Sequence, residues 1–143
     1  MPDPNAPSFG AAGGLRILVA DDNEDAATSL ATLLELSGYT VDIANDGEQA
    51  LRLAHSTRPS VALLDLGMPK ITGADVARAI RETEWGHLTV IIAITGWSIA
   101  ESEKRGDRAV FDAYFLKPVE FDSLLSRIQS MSAAPEITPS KPE

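Results

Sequence analysis

Five short apolar runs recur along the chain, each followed directly by a polar side chain and then by a stretch with helical periodicity. The runs are Leu15–Ala20, Tyr39–Ala44, Ser60–Leu64, Thr89–Ile94 and Asp112–Leu116. Nearly continuous apolar strands are what a parallel sheet buried on both faces requires. Between the runs, Ala26, Leu30, Leu33 and Leu34 fall on one side of a helix, with Asn23 or a neighbour as its cap and Gly38 as its stop. Gly47, Ala50, Leu51 and Ala54 repeat after the Asp46-Gly47 turn, and Val76, Ala77 and Ile80 repeat after Gly73. A fourth helical stretch, Ile99–Arg108, is polar with a thin apolar stripe, and Phe121, Leu124, Leu125 and Ile128 mark a fifth helix. Strand–helix alternation of this kind gives an α/β fold with an open parallel five-stranded sheet between two helical layers.

The ends of the chain do not join this pattern. Residues 1–14 and 132–143 are rich in proline and lack periodicity, so they read as flexible tails around one folded unit at 15–131. No apolar run approaches the ~20 residues of a membrane span, and no secretory leader is visible, which points away from membranes. Cysteine is absent, which excludes disulfides and thiolate metal sites and suits the cytoplasm. A net charge of −9 without any basic cluster argues against nucleic-acid binding.

Ligands of open α/β sheets bind outside the carboxyl ends of the strands. There the sequence places Asp21-Asp22 after strand 1, Asp65 after strand 3, Thr95 after strand 4 and Lys117-Pro118 after strand 5. Three adjacent carboxylates repel, and a hard divalent cation such as magnesium relieves that repulsion through oxygen ligands. Asp21 and Asp22 would form its acidic pocket, with an oxygen of Asp65 and the backbone carbonyl of Gly67 as further ligands. Lys117 would add a positive charge opposite, presented from a strand end made extended by Pro118.

The motifs LVADDNED (18–25), LLDLGMPKITG (63–73), IAITG (92–96) and YFLKPV (114–119) resemble the receiver domain of two-component response regulators. The resemblance implies a flavodoxin-like (βα)5 three-layer sandwich with strand order 2-1-3-4-5. It implies that Asp65 accepts a phosphoryl group from a histidine kinase or histidine phosphotransfer protein in a magnesium-dependent reaction. Thr95 and Lys117 would contact phosphoryl oxygens, and Thr95 and Tyr114 would act as switch residues. The expected output is protein–protein contact with an unknown downstream protein, because no DNA-binding segment follows residue 131. The expected state is a monomer or a weak homodimer through the face of the fourth helix, fifth strand and fifth helix. His55 and His87 lie outside every motif and read as surface residues.

Other readings fit less well. An aspartyl-phosphate phosphatase needs a second acid two residues after its nucleophile, and that position is Gly67. A nucleotide-binding module needs a glycine-rich turn after the first strand, where DDNEDAA stands instead. A degenerate docking-only receiver is disfavoured because every acceptor-site position is filled. The expected role is therefore a signalling phosphoacceptor, not an enzyme, although self-phosphorylation and self-dephosphorylation are compatible with it. Trp97, two residues after Thr95, is large enough to cover such an acyl phosphate and slow its loss.

Overall fold

A computed structural model describes residues 15–96 and 110–132. Its strands are β1 (Arg16–Ala20), β2 (Thr40–Ala44), β3 (Val61–Asp65), β4 (Val90–Thr95) and β5 (Ala113–Leu116). The helices between and after them are α1 (Glu24–Leu36), α2 (Gly47–Thr57), α3 (Gly73–Arg81) and α4 (Phe121–Ser132), with a short 3-10 turn at Gly86–Leu88. All neighbouring strands run parallel, in the order β2-β1-β3-β4-β5. The fold is flavodoxin-like, as expected. The polar stretch Ile99–Arg108 lies outside the described residues.

Strand side chains alternate between two core layers, as a period of two requires. Leu18, Ala20, Ala62, Leu64 and Ala93 pack against α2 and α3 through Ala50, Ala54, Val76, Ala77 and Ile80. Ile17, Val19, Val61, Leu63 and Ile92 pack on the other face against α1 and α4, through Ala27, Leu34, Leu124 and Ile128. All five residues of β3 are buried, so the middle of the sheet is the driest part of the fold.

The helix starts are set by local chemistry. The Asn23 side chain accepts the Ala26 amide at 3.0 Å, and the Asp46 side chain accepts that of Gln49 at 2.8 Å. Asp46 is therefore the cap of α2, and Gly47 its first residue rather than half of a turn. Thr72 and Asp75 form a reciprocal capping box at α3. Gly38 ends the α1 segment at φ 105°, which only glycine adopts without strain.

One expected face is corrected. The buried stripe of α1 is Ala27, Ala31 and Leu34, with Leu30 partly buried, whereas Ala26 is exposed and Leu33 is 42% exposed. The sequence of α1 offers two overlapping apolar stripes, and the packing against β1 and α4 selects one of them.

Opposite the ligand end, Arg81 closes the last turn of α3 onto the sheet. Its guanidinium donates to the carbonyls of Val110, Gly86 and Thr89 and to Asp112 Oδ2 at 2.8–3.2 Å. Asp112 Oδ2 also accepts the Ile91 amide at 2.8 Å.

Candidate functional site

Backbone hydrogen bonds continue the ladder past the strand ends and fix the site residues. The Asp21 amide donates to the Ala44 carbonyl at 3.0 Å, that of Leu66 to Ile94 at 3.0 Å and that of Lys117 to Thr95 at 2.8 Å. Asp21, Asp65, Thr95 and Lys117 are thereby held on one sheet edge. Asp21 is 7% exposed, Asp65 5% and Thr95 1%, while Asp22 faces solvent.

The two buried carboxylates are held in the same manner. Oδ1 of Asp21 accepts the Asn23 amide at 2.9 Å, and Oδ1 of Asp65 accepts the Gly67 amide at 2.9 Å. Lys117 Nζ lies 3.1 Å from Asp21 Oδ2 and 3.3 Å from Asp65 Oδ2. Carboxylate oxygens of Asp21, Asp22 and Asp65 lie within 4.8 Å of one another, an all-oxygen donor set that fits a hard divalent cation.

Burial pushes the Asp65 carboxyl up to about 6, opposed by the Gly67 amide, reinforced by Asp21 and opposed again by the Lys117 charge. Burial pulls the Lys117 ammonium down, but its hydrogen bonds and ion pairs with Asp21 and Asp65 outweigh that and hold it above its ordinary value.

The loop leaving Asp65 is wedged against two helix starts. A Cβ on Gly73 would lie 2.5 Å from the Asp65 carbonyl oxygen, and one on Gly47 would lie 2.4 Å from the Ile71 carbonyl oxygen. Both glycines are thus needed for close approach. Gly67 is different: a Cβ there would make an ordinary 3.4 Å contact with Asp65 Oδ1. Among the described residues, a Cβ on Gly96 would meet nothing within 4 Å.

Residues 17–129 match the response regulator receiver domain. The chain belongs to the receiver domain family. Among curated relatives, the response regulator MprA of Mycobacterium ulcerans is 36% identical over 117 residues, covering 82% of this chain and 50% of the relative. The chain thus spans about half the length of the curated relatives it matches. Among solved structures, the receiver domain of a Pseudomonas aeruginosa sensor histidine kinase, with magnesium coordinated in its active-site cleft, is 30% identical with a TM-score of 0.78. That match covers 85% of this chain and 100% of the neighbour. The response regulator TrrA of Thermotoga maritima, solved in complex with Mg2+ and BeF, is 32% identical with a TM-score of 0.73, over 82% of this chain and 98% of that one.

In this receiver the structure brings Asp21, Asp22, Asp65 and Lys117 together, with buried Thr95 beside them at the end of β4. Tyr114 lies one strand further on, paired with Ala93 across the ladder. Its ring meets Phe111 edge-on at 5.4 Å, on the core layer of α2 and α3. Lys117 precedes Pro118 through a cis peptide bond. Trp97 lies outside the described residues. Both histidines are exposed, as expected, although His55 has an aromatic neighbour in Trp85 at 5.9 Å.

Sequence reasoning missed a groove that opens beside the acids. Its wall is the outward stripe of α1, Ala26, Ser29, Leu30 and Leu33, facing Val119 and Phe121 across Asp21 and Lys117. The signal was present in the second apolar stripe of α1 but was read as core.

Proposed function

We propose that this receiver is a phosphorylation switch in which Asp65 takes a phosphoryl group from the phosphohistidine of a histidine kinase or histidine phosphotransfer protein. The observation that carries this reading is the pairing of one lysine with two buried carboxylates at the sheet edge. In the transfer an oxygen of Asp65 forms the new P–O bond as the P–N bond of the donor breaks. Such in-line transfer depends on positioning and charge stabilisation more than on covalent chemistry by the protein.

Asp21, Asp22, Asp65 and the Gly67 carbonyl are the residues that would hold magnesium. When bound, the ion would neutralise charge on the phosphoryl oxygens. Lys117 would pair with one phosphoryl oxygen, and the Thr95 hydroxyl would donate to another. The product carries more negative charge than the aspartate it replaces. Thr95 and Tyr114, on neighbouring strands, would convey that change to the face of β5 and the helices beside it. Protein–protein contact would read it out, as a monomer or through a weak homodimer on that face. The receiver unit would span residues 15–131. The groove along α1 supplies an apolar landing surface beside the acceptor.

Incubation with magnesium and a small acyl-phosphate donor, followed by intact-mass measurement, tests the reading. One added phosphoryl group is expected on the native chain and none on Asp65→Asn. No adduct with either the small donor or a kinase overturns it.

A further inference from the structure

The turn from β2 to α2 stands between the two loops that carry the acids. On one side it holds both backbone groups of Asp21. The Asp21 amide donates to the Ala44 carbonyl at 3.0 Å, and Asn45 Nδ2 donates to the Asp21 carbonyl at 3.4 Å. On the other side Gly47 lies against Ile71, in the loop after Asp65, so closely that a Cβ would come within 2.4 Å of the Ile71 carbonyl oxygen. The turn is also fixed from within. Asp46 accepts the Gln49 amide at 2.8 Å, and Gln49 Oε1 accepts the Asn45 amide at 3.1 Å. Asn45 is thus a stationary post, half-buried and outside the four motifs. The Asp21 carbonyl belongs to the peptide that leads into Asp22. Asp21 is buried, with its carboxylate tied to the Asn23 amide. Asp22 faces solvent, and no described residue makes a hydrogen bond or ion pair with its side chain. The backbone before it therefore decides where the Asp22 carboxylate stands.

We infer that Asn45 is a positioning residue whose side-chain amide orients the Asp21–Asp22 peptide and so keeps the Asp22 carboxylate beside those of Asp21 and Asp65. The inference rests on the proposed phosphoacceptor reading and adds to it a residue from a strand that supplies none of the acids. Without the amide the peptide is free to turn, and the Asp22 carboxylate spends part of its time away from the pocket. A divalent cation then loses one of its three carboxylates for that time. A hydrogen bond of 3.4 Å at a half-buried position contributes little to folding. Metal affinity is more sensitive, because partners that orient metal ligands from behind typically change it by about tenfold or more.

The test uses Mn2+ as the probe at pH 8, with binding followed by loss of the free-ion paramagnetic resonance signal from the unphosphorylated protein. Asn45→Ala is expected to bind Mn2+ about tenfold more weakly than the native chain. Its urea midpoint is expected to fall by less than about 0.5 M. Native-like Mn2+ binding by Asn45→Ala overturns the inference, and so does a midpoint that falls far enough for general loosening to account for the weaker binding. A second measurement separates positioning from any other effect of the substitution. In 15N relaxation of the metal-free proteins, the Asp22 amide is expected to gain motion in Asn45→Ala while the amides of Gly47, Glu48 and Gln49 keep theirs. Weaker Mn2+ binding with unchanged motion at Asp22 overturns the inference. Absence of any Mn2+ binding to the native chain overturns it together with the metal half of the proposed function. Failure of Asp65 to accept a phosphoryl group, with the Asn45 dependence of Mn2+ binding intact, overturns the phosphoacceptor reading alone.

Discussion

Asp65 carries a conflict between solvation and charge, and the conflict has a measurable sign. Its carboxyl is pushed up to about 6 in the fold, against an ordinary value of 3.8. The folded state therefore binds the proton more tightly than the unfolded chain does. Ionising Asp65 costs stability, a cost absent below the unfolded value and fully present above about 6. In metal-free buffer, the contribution of Asp65 should fall by on the order of 2 kcal/mol as pH rises through that window. Asp65→Asn should lack this step, so its advantage over the native chain in urea denaturation should be larger at pH 7.5 than at pH 4. An advantage independent of pH would show that the carboxylate is not strained by its surroundings. Saturating magnesium should shrink the difference, because a bound cation stabilises only the ionised form.

At the scale of elements, the loop from β3 to α3 is positioned by contacts between backbones. Gly73→Ala would force a methyl to 2.5 Å from the Asp65 carbonyl oxygen, so the start of α3 or the acceptor strand must shift. The expected loss is about 1–3 kcal/mol of stability in urea, with weaker Mn2+ binding. Gly67→Ala, closer in sequence to the acceptor, should cost less than about 1 kcal/mol, because its methyl meets only a side-chain oxygen at 3.4 Å. If the two variants lose equal stability, the close approach at Gly73 is not what holds the loop. This contrast could not be read from the sequence, where both are simply glycines in one motif. Strand order and the acidic edge were legible, because strand ends are local and the parallel sheet gathers them by rule. The working face of α1 was not. Ala26 and Leu33 are as apolar as Ala27 and Leu34, and only tertiary packing distinguishes the two stripes.

Across the whole molecule, the sheet separates chemistry from anchorage. The acids and Lys117 stand at the carboxyl ends of the strands, while Arg81 gathers Gly86, Thr89, Val110 and Asp112 at the opposite end. The two ends are about 20 Å apart along a six-residue strand such as β4. Arg81→Met would remove the cation from Asp112 and leave carbonyls of three residues without that donor. It should cost about 2–4 kcal/mol of stability. Phosphoryl uptake by the fraction that remains folded should change less than about twofold, because distant sites without shared partners behave additively. Uptake that collapses while the fold persists would show that the clamp reaches the acceptor edge. Arg81 gave no sequence signal, since its partners are backbone carbonyls and the Asp112 carboxylate at separations of 5–31 residues.

The two stripes of α1 divide its residues between different masters. Ala27, Ala31 and Leu34 answer to the sheet and cannot drift far without loosening the core. Ala26, Ser29 and Leu33 line the groove and hold no place in the core. A helix built this way can change its correspondents one outward side chain at a time while its own tenure in the fold is untouched. Duplicated copies of such a chain could then part company in their allegiances long before they differ in architecture.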